Sequence, residues 1–434
     1  MFSLVSGVSG APLAFAANIL IARSLGVTQY GSYVAMISAA LAAGGLAAYG
    51  LGPLMTRELS RQPASHQTEI FRHLGFWSLK RVGITSAFSV LVVIAWLGFL
   101  FKDSHVGWLD KALILPVIPI IAALSLASGA LVGLSRVALS QAVNNIIKNA
   151  ALLISIFLII RGHYVTIGSV IGAQLLSLGL SLAIASYWIH GRLPASGSIS
   201  LGGVDGKTTK AWGRSALHFF AMSASMLVLS RLDVVIISAF SNNSEAGVFG
   251  IAARASQLAS LAGIVSLSWL QPRISRQSAK NDRESLRSTV KVGLLVACSL
   301  TLVSSAIGWL LAPWVMKIAG SNFASAVWPM RCLLAGYVIW SFCIPYYVVL
   351  SMSGREKVLS IILWSQAAIT LSATAILGHA LGANGAAYAW LLGSSFGTVA
   401  MVIAGSRLLI GLREGVSRQP VAQDSQAITY SRQI

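Results

Sequence analysis

Apolar runs of about 20 residues recur along the whole of this 434-residue chain. Each is long enough for one helix to cross the roughly 30 Å of hydrocarbon in a bilayer. A helix also satisfies its own backbone hydrogen bonds, which hydrocarbon demands of anything that crosses it. Only 10% of the residues are charged and 56% are hydrophobic, whereas soluble domains carry about 25% charged residues. Such a chain cannot cover a water-facing surface, and the expected fold is an all-α integral membrane protein.

The runs predict twelve spans, at 3–22, 31–54, 82–101, 112–134, 140–160, 165–189, 216–240, 246–271, 291–312, 324–351, 358–378 and 385–410. The first lacks a basic lead region and passes straight into the second, so it reads as a span and not as a cleaved signal peptide. With a cytoplasmic N-terminus, 22 of the 31 Lys and Arg residues fall in cytoplasmic segments, five in outer loops and four within spans. That asymmetry places both termini inside, and it makes the net charge of +19 a report of topology rather than of nucleic-acid binding. Cys298, Cys332 and Cys343 all lie in spans, without CxxC or Cys/His spacing, which predicts free thiols and no metal. The loops are short and show no phosphate-cradling glycine run, Walker motif or aromatic-flanked acidic pair. Asp103, His105 and Asp110 in the segment FKDSHVGWLD read as a solvated loop. The chain is read as no enzyme and as needing no cofactor.

One cytoplasmic segment has a regular pattern. Arg273, Arg276, Lys280, Arg283, Arg287 and Lys291 are spaced by three or four residues, so a single helix there would carry one basic stripe along anionic lipid headgroups. An ordinary positive-inside loop explains the same residues.

Internal echoes carry the architecture. The stretch SRVALSQAVNNIIKNAALLISIFLIIRGHYVTIGSVIGAQLL (135–176) is echoed by GREKVLSIILWSQAAITLSATAILGHALGANGAAYAWLL (354–392), and LGVTQYGSYVAM (25–36) by SNNSEAGVFGIAA (241–253), at an offset near 220. Two six-span halves follow, 1–200 and 201–412, around a central cavity, with a cytoplasmic tail at 413–434. Because six is even, the halves enter the membrane in the same orientation, about an axis along the membrane normal.

ANILIARSLGVTQYGSYVAM (17–36), LDVVIISAFSNNSEAGVFGIAARASQL (232–258), AGSNFASAVWPMRCLLAGY (319–337) and LGANGAAYAWLLGS (381–394) resemble, in order and spacing, the motifs of the polysaccharide flippases within the multidrug/oligosaccharidyl-lipid/polysaccharide exporter superfamily. The resemblance implies that the chain moves a polyprenyl-diphosphate-linked oligosaccharide across the bacterial inner membrane for surface polysaccharide such as O-antigen or exopolysaccharide. Its partners would be the lipid-linked glycan, membrane lipids, and the polysaccharide polymerase with its chain-length machinery. The chain enters span 1 without the family's short basic lead-in, which points to a start further upstream. The alternative within the same superfamily is a multidrug/cation antiporter, which wants several intramembrane carboxylates; Asp233 is alone.

The charges inside the spans are the candidate site. Four cations, Lys148, Arg231, Arg254 and Arg331, face one carboxylate, Asp233, and an anionic diphosphate needs compensation at every depth it crosses. Asn145, Lys148 and Asn149 share one helical face with Gln141. Such a stripe lines a cavity or joins helices, and the ammonium favours the cavity. Arg231 and Arg331 suit a diphosphate because the guanidinium fork donates two parallel hydrogen bonds. Arg231 and Asp233 lie about 200° apart round a helix. Asp233 and Arg254, however, lie about 10 and 12 Å below the outer surface on antiparallel neighbours, at about 1.5 Å per residue. Asp233 and Arg254 are therefore expected to form a structural ion pair, leaving Arg231, Lys148, Arg331, Asn145 and Asn149 to the substrate. Trp340 and Trp364 lie deep enough to stack on sugar rings or simply to pack.

Overall fold

The computed structural model describes residues 2–61, 67–100, 106–191, 206–279, 283–353 and 355–411. Its helices are α1 (Phe2–Ala47), α2 (Leu51–Arg61), α3 (Gln67–Leu100), α4 (Trp108–Ile114), α5 (Val117–Gly133), α6 (Val137–Gln141) and α7 (Lys148–Arg161). They continue as α8 (Ile167–His190), α9 (Gly206–Phe240), α10 (Asn243–Ala279), α11 (Arg283–Ala319), α12 (Val327–Ser341), α13 (Ile344–Met352) and α14 (Glu356–Gly411). A π-helical turn, Ala142–Ile147, joins α6 to α7, and a 3-10 turn, Ser321–Ala326, precedes α12. Among the described residues there is no strand.

Nine stretches among the described residues are long and apolar enough to cross a membrane. Two of these, Gly10–Ala47 with 38 residues and Glu356–Leu409 with 54, are too long for a single crossing at about 1.5 Å per residue. Glycine divides both. Gly26 has φ 75° and Gly382 φ 59°, left-handed values that stop a helix and that glycine adopts without steric cost. Divided there, the nine become eleven crossings. α10 is less apolar, but it connects α9 to α11 and packs along both, which makes it the twelfth. The chain is a multi-pass, all-helical membrane protein.

The internal repeat is sharper in the helices than in the residues. α3 begins at Gln67 and α11 at Arg283, 216 residues on. The break at Gly26 and the junction at Asn242 before α10 share that spacing, as do Thr166 at the start of α8 and Gly382. The equivalent helices α3 and α11 both lie on the outside and expose apolar side chains to lipid, Phe88 at 69%, Leu91 at 65%, Leu295 at 72% and Leu310 at 73%. At the centre α1 and α10 cross closely. A Cβ on Gly31 would overlap the Asn243 carbonyl, and one on Gly247 would overlap that of Val27.

A second close crossing lies between α2 and α5. A Cβ on Gly129 would overlap the Gly52 carbonyl, and Thr56 Oγ1 donates to the Gly129 carbonyl at 2.9 Å. Small residues let helices approach this closely, and a hydroxyl between them then hydrogen-bonds across. Gly129→Val should therefore separate α2 from α5, at the cost of about 1–3 kcal/mol usual for overpacking. The monodisperse size-exclusion peak of detergent-extracted protein should fall well below wild type. An unchanged peak would show that the crossing tolerates a side chain.

The cytoplasmic basic stripe is not one surface. α10 ends at Ala279 and α11 starts at Arg283, so the residues do not share a helix. Arg273 is exposed. Arg287 turns inward and donates from Nη2 to the Leu409 carbonyl at 3.0 Å, closing the C-terminal end of α14, where orphan carbonyls attract a cation. The side chains of Arg276, Lys280 and Arg283, the loop residues Asp103 and His105, and the tail from 412 onward lie outside the described residues.

Candidate functional site: a cationic cavity at the helix crossing

A cavity of about 580 Å³ lies between α1, the π-helical turn, α7, α9, α10, α12 and α14. The π-helical turn shapes one wall. Asn144 Nδ2 donates to Ser128 Oγ at 2.6 Å and to the Ser140 carbonyl at 2.9 Å. One turn on, Asn149 Nδ2 donates to the Gly10 carbonyl of α1 at 2.9 Å and to the Asn145 carbonyl at 2.7 Å. Gly10 has no Cβ to keep these elements apart. The inserted residue of a π-turn widens the helix locally, a device common at functional sites. Here it brings Asn145 and Asn149 to the cavity wall, as their spacing predicts. Lys148, from the same face, stands behind that wall within electrostatic reach of Arg231 and Arg254.

α9 and α10 supply the charges. Arg231, Asp233 and Arg254 all line the cavity. The expected contact between Asp233 and Arg254 is not made. Asp233 Oδ1 instead accepts the backbone N–H of Val234 at 2.8 Å, and Arg254 Nη1 donates to Gln257 Oε1 at 3.4 Å. Among the described residues the one ion pair within 4.0 Å is Arg57–Glu58, at 2.7 Å. The depth count was sound, since both groups reach the same cavity, but equal depth on neighbouring helices does not fix which way two side chains turn. Among the described residues no hydrogen bond or ion pair holds the Arg231 guanidinium. It is a free fork beside open space.

Arg331 is placed differently from the expectation. Its guanidinium lies over the Trp309 ring at 5.3 Å, outside the cavity lining. Leu333, Tyr337 and Trp340 of α12 do line it. A residue two positions before Leu333 is turned about 200° from that face, so Arg331 meets α11 instead. Trp340 faces the cavity, whereas Trp364 is 41% exposed on the outside and donates to the Ala221 carbonyl at 3.2 Å.

The cavity also holds residues that the sequence did not single out: Ser38, Gln257, Gln366, Tyr337 and Trp390. Gln257 and Gln366 had a usable signal, because an amide inside an apolar span is costly and tends to face the bundle interior. The cavity is sealed at one end. Tyr30 and Phe323, 0% and 1% exposed, meet edge to face at 5.8 Å beside the Gly31–Gly247 crossing. There too Glu245 Oε2 accepts the Ala383 N–H at 2.7 Å, a carboxylate at the start of the last helical segment.

Comparison with known proteins gives the following. The model of a family described as "Polysaccharide biosynthesis protein" matches residues 1–278, and no curated protein matches the chain. The chain is similar in fold to an inward-facing multidrug resistance MATE family transporter of the MOP superfamily, with TM-score 0.79 and 14% identity over 95% of this chain and 100% of that one. It is similar to the lipid II flippase MurJ in an inward closed conformation, with TM-score 0.71 and 12% identity over 94% of this chain and 89% of that one. An outward-facing MATE family transporter gives 0.65 at 14% identity, over 95% of this chain and 97% of that one.

Proposed function

Since the chain belongs to the polysaccharide biosynthesis protein family and has the fold of MOP superfamily transporters, we propose that it is a flippase. Its substrate is a polyprenyl-diphosphate-linked oligosaccharide, carried across the bacterial inner membrane for surface polysaccharide assembly. Both termini are cytoplasmic, and the two six-helix halves, 1–200 and 201–412, rock about their common axis. The free Arg231 guanidinium in a cavity where Arg231 and Arg254 outnumber Asp233 is the observation that carries this reading. A diphosphate brings two phosphoryl groups rich in acceptors, and guanidinium forks match them. Lys148 adds charge behind the wall. The glycan head travels through the cavity while the polyprenyl tail stays in membrane lipid, and the product passes to a polymerase and its chain-length machinery.

A cation antiporter on the same fold requires the opposite balance of charge, with carboxylates in excess. One carboxylate against two guanidiniums in the lining repels a cation.

Removing the gene from a strain with no second flippase should stop surface polymer and leave lipid-linked glycan on the cytoplasmic leaflet. Extraction of polyprenyl-linked glycan, with and without an impermeant enzyme acting from outside, measures this. Normal surface polymer in that strain would remove the proposal.

A further inference from the structure

The cationic wall accounts for only half of the cavity. The side facing α9 and α10 is built from α12 and α14 and carries Tyr337, Trp340, Gln366 and Trp390. The Tyr337 and Trp390 rings pack at 5.7 Å with their planes 57° apart, so two aromatic surfaces meet at an angle beside open space.

Three lining residues have buried polar atoms with no hydrogen-bond partner: Ser38 Oγ, Gln366 Oε1 and Trp390 Nε1. Gln366 is 1% exposed. A buried polar group without a partner is rare in native proteins and calls for a specific explanation. The fold keeps two of these atoms against glycine. A Cβ on Gly336 would lie 2.8 Å from Trp390 Nε1, and one on Gly397 would overlap Gln366 Oε1.

The chemistry of the three atoms separates possible ligands. Trp390 Nε1 only donates, Gln366 Oε1 only accepts, and the Ser38 hydroxyl does both. A diphosphate at neutral pH is made of acceptors and cannot satisfy Gln366 Oε1. A lipid chain satisfies none of them. A sugar ring carries hydroxyls that donate and accept, and its C–H face lies against aromatic rings. The volume of about 580 Å³ falls within the roughly 300–1,000 Å³ of small-molecule sites, room for a short saccharide and not for a polymer.

We propose that Tyr337, Trp340, Gln366 and Trp390, with Ser38 across from them, form a saccharide subsite opposite the cationic wall. It takes the sugar bonded directly to the diphosphate, because the covalent link holds that sugar beside whatever Arg231 and Arg254 bind. The inference rests on the flippase reading and deepens it: the subsite makes the protein choose glycosylated polyprenyl diphosphate over the bare lipid.

The test uses full-length protein purified in mild detergent from its native host. Co-purifying lipids are measured by mass spectrometry as the ratio of glycosylated to bare polyprenyl diphosphate, relative to the same ratio in the membrane. Wild type and Trp364→Phe, which alters an outward-facing ring, should both enrich the glycosylated form. The double variant Trp390→Phe/Gln366→Leu keeps the aromatic surface and volume but removes the donor and the acceptor. It should lose that enrichment by about tenfold, the scale of one or two hydrogen bonds, while still carrying bare polyprenyl diphosphate. If the double variant is poorly recovered, each single variant is read in the same way and should lose part of the enrichment. An unchanged ratio, or equal loss of both lipids, overturns the subsite. Wild type carrying neither lipid overturns the flippase reading itself, and the subsite falls with it.

Discussion

Arg231→Ala should leave the amount of membrane-inserted protein near wild type and reduce surface polymer per unit of protein about thirtyfold or more. The guanidinium is held by no other described residue, so folding loses little when it is removed. What is lost is a charged partner of the substrate, and truncating one member of a buried, hydrogen-bonded charge pair costs about 2–5 kcal/mol, which is about thirtyfold at the lower end. Arg231→Lys should recover only part, because the charge returns without the bidentate fork. Asp233→Ala should behave in the opposite way. Asp233 is the one carboxylate in a lining with two guanidiniums, and Lys148 stands close behind. Removing it leaves the cations facing one another in low dielectric, a loss on the scale of the 3–5 kcal/mol of a broken buried pair. Folded protein should fall. Arg254→Ala, which lessens the same repulsion, should restore protein in the Asp233→Ala background while transport stays low. The measurement is surface polymer and size-exclusion peak area for each variant. If Arg231→Ala loses protein while Asp233→Ala keeps it, the assigned roles are reversed.

The limits of the sequence reading are visible in the same residues. Span length and positive-charge asymmetry follow directly from the bilayer, and the twelve crossings appear where the apolar runs lie. The repeat was legible as an offset near 220, and helix starts at Gln67 and Arg283 refine it to 216. Helix periodicity placed Asn145 and Asn149 on the cavity wall. What depth and period do not contain is the direction a helix faces within the bundle. Arg331 has a suitable depth but the wrong azimuth, and applying the same 200° argument used for Arg231 and Asp233 to Leu333 and Tyr337 would have turned it outward. Asp233 and Arg254 share a cavity without touching because a rotamer decides the last few ångströms. The π-helical turn left no signal in the AVNNII stretch beyond its asparagines, whose side chains satisfy the backbone that such a turn disturbs. Ser38, Gln366 and Trp390 come from helices far apart in sequence, so only the fold brings their unpartnered atoms together.

Replacing Gly31 or Gly247 with valine should hold the sealed end of the cavity open. The contact is reciprocal: Gly31 sits on the carbonyl of Asn243, and Gly247 on that of Val27. Val27 and Asn243 are 216 residues apart, as are Gly31 and Gly247, so α1 and α10 offer the same surface to each other. That is how a two-fold axis places self-complementary patches. A contact on the axis between two rocking halves must form when this end closes and part when it opens. A side chain there opposes only the closed arrangement, by the roughly 1–3 kcal/mol of overpacking, which is about tenfold or more in population. The protein should still be inserted, because the α2–α5 crossing and the lipid-facing surfaces are untouched. With Cys298, Cys332 and Cys343 replaced by alanine, a cysteine introduced at Ser38 of the cavity lining reports access. An impermeant maleimide added from the side that holds Gly31 should label it about tenfold faster in Gly31→Val than in the same protein with Gly31 intact. Gly31→Ala should fall between the two. Surface polymer should drop in step, since a transporter that cannot seal one end cannot alternate. Equal labelling together with normal polymer would mean that α1 and α10 move past each other without parting, and that the halves do not rock about this crossing.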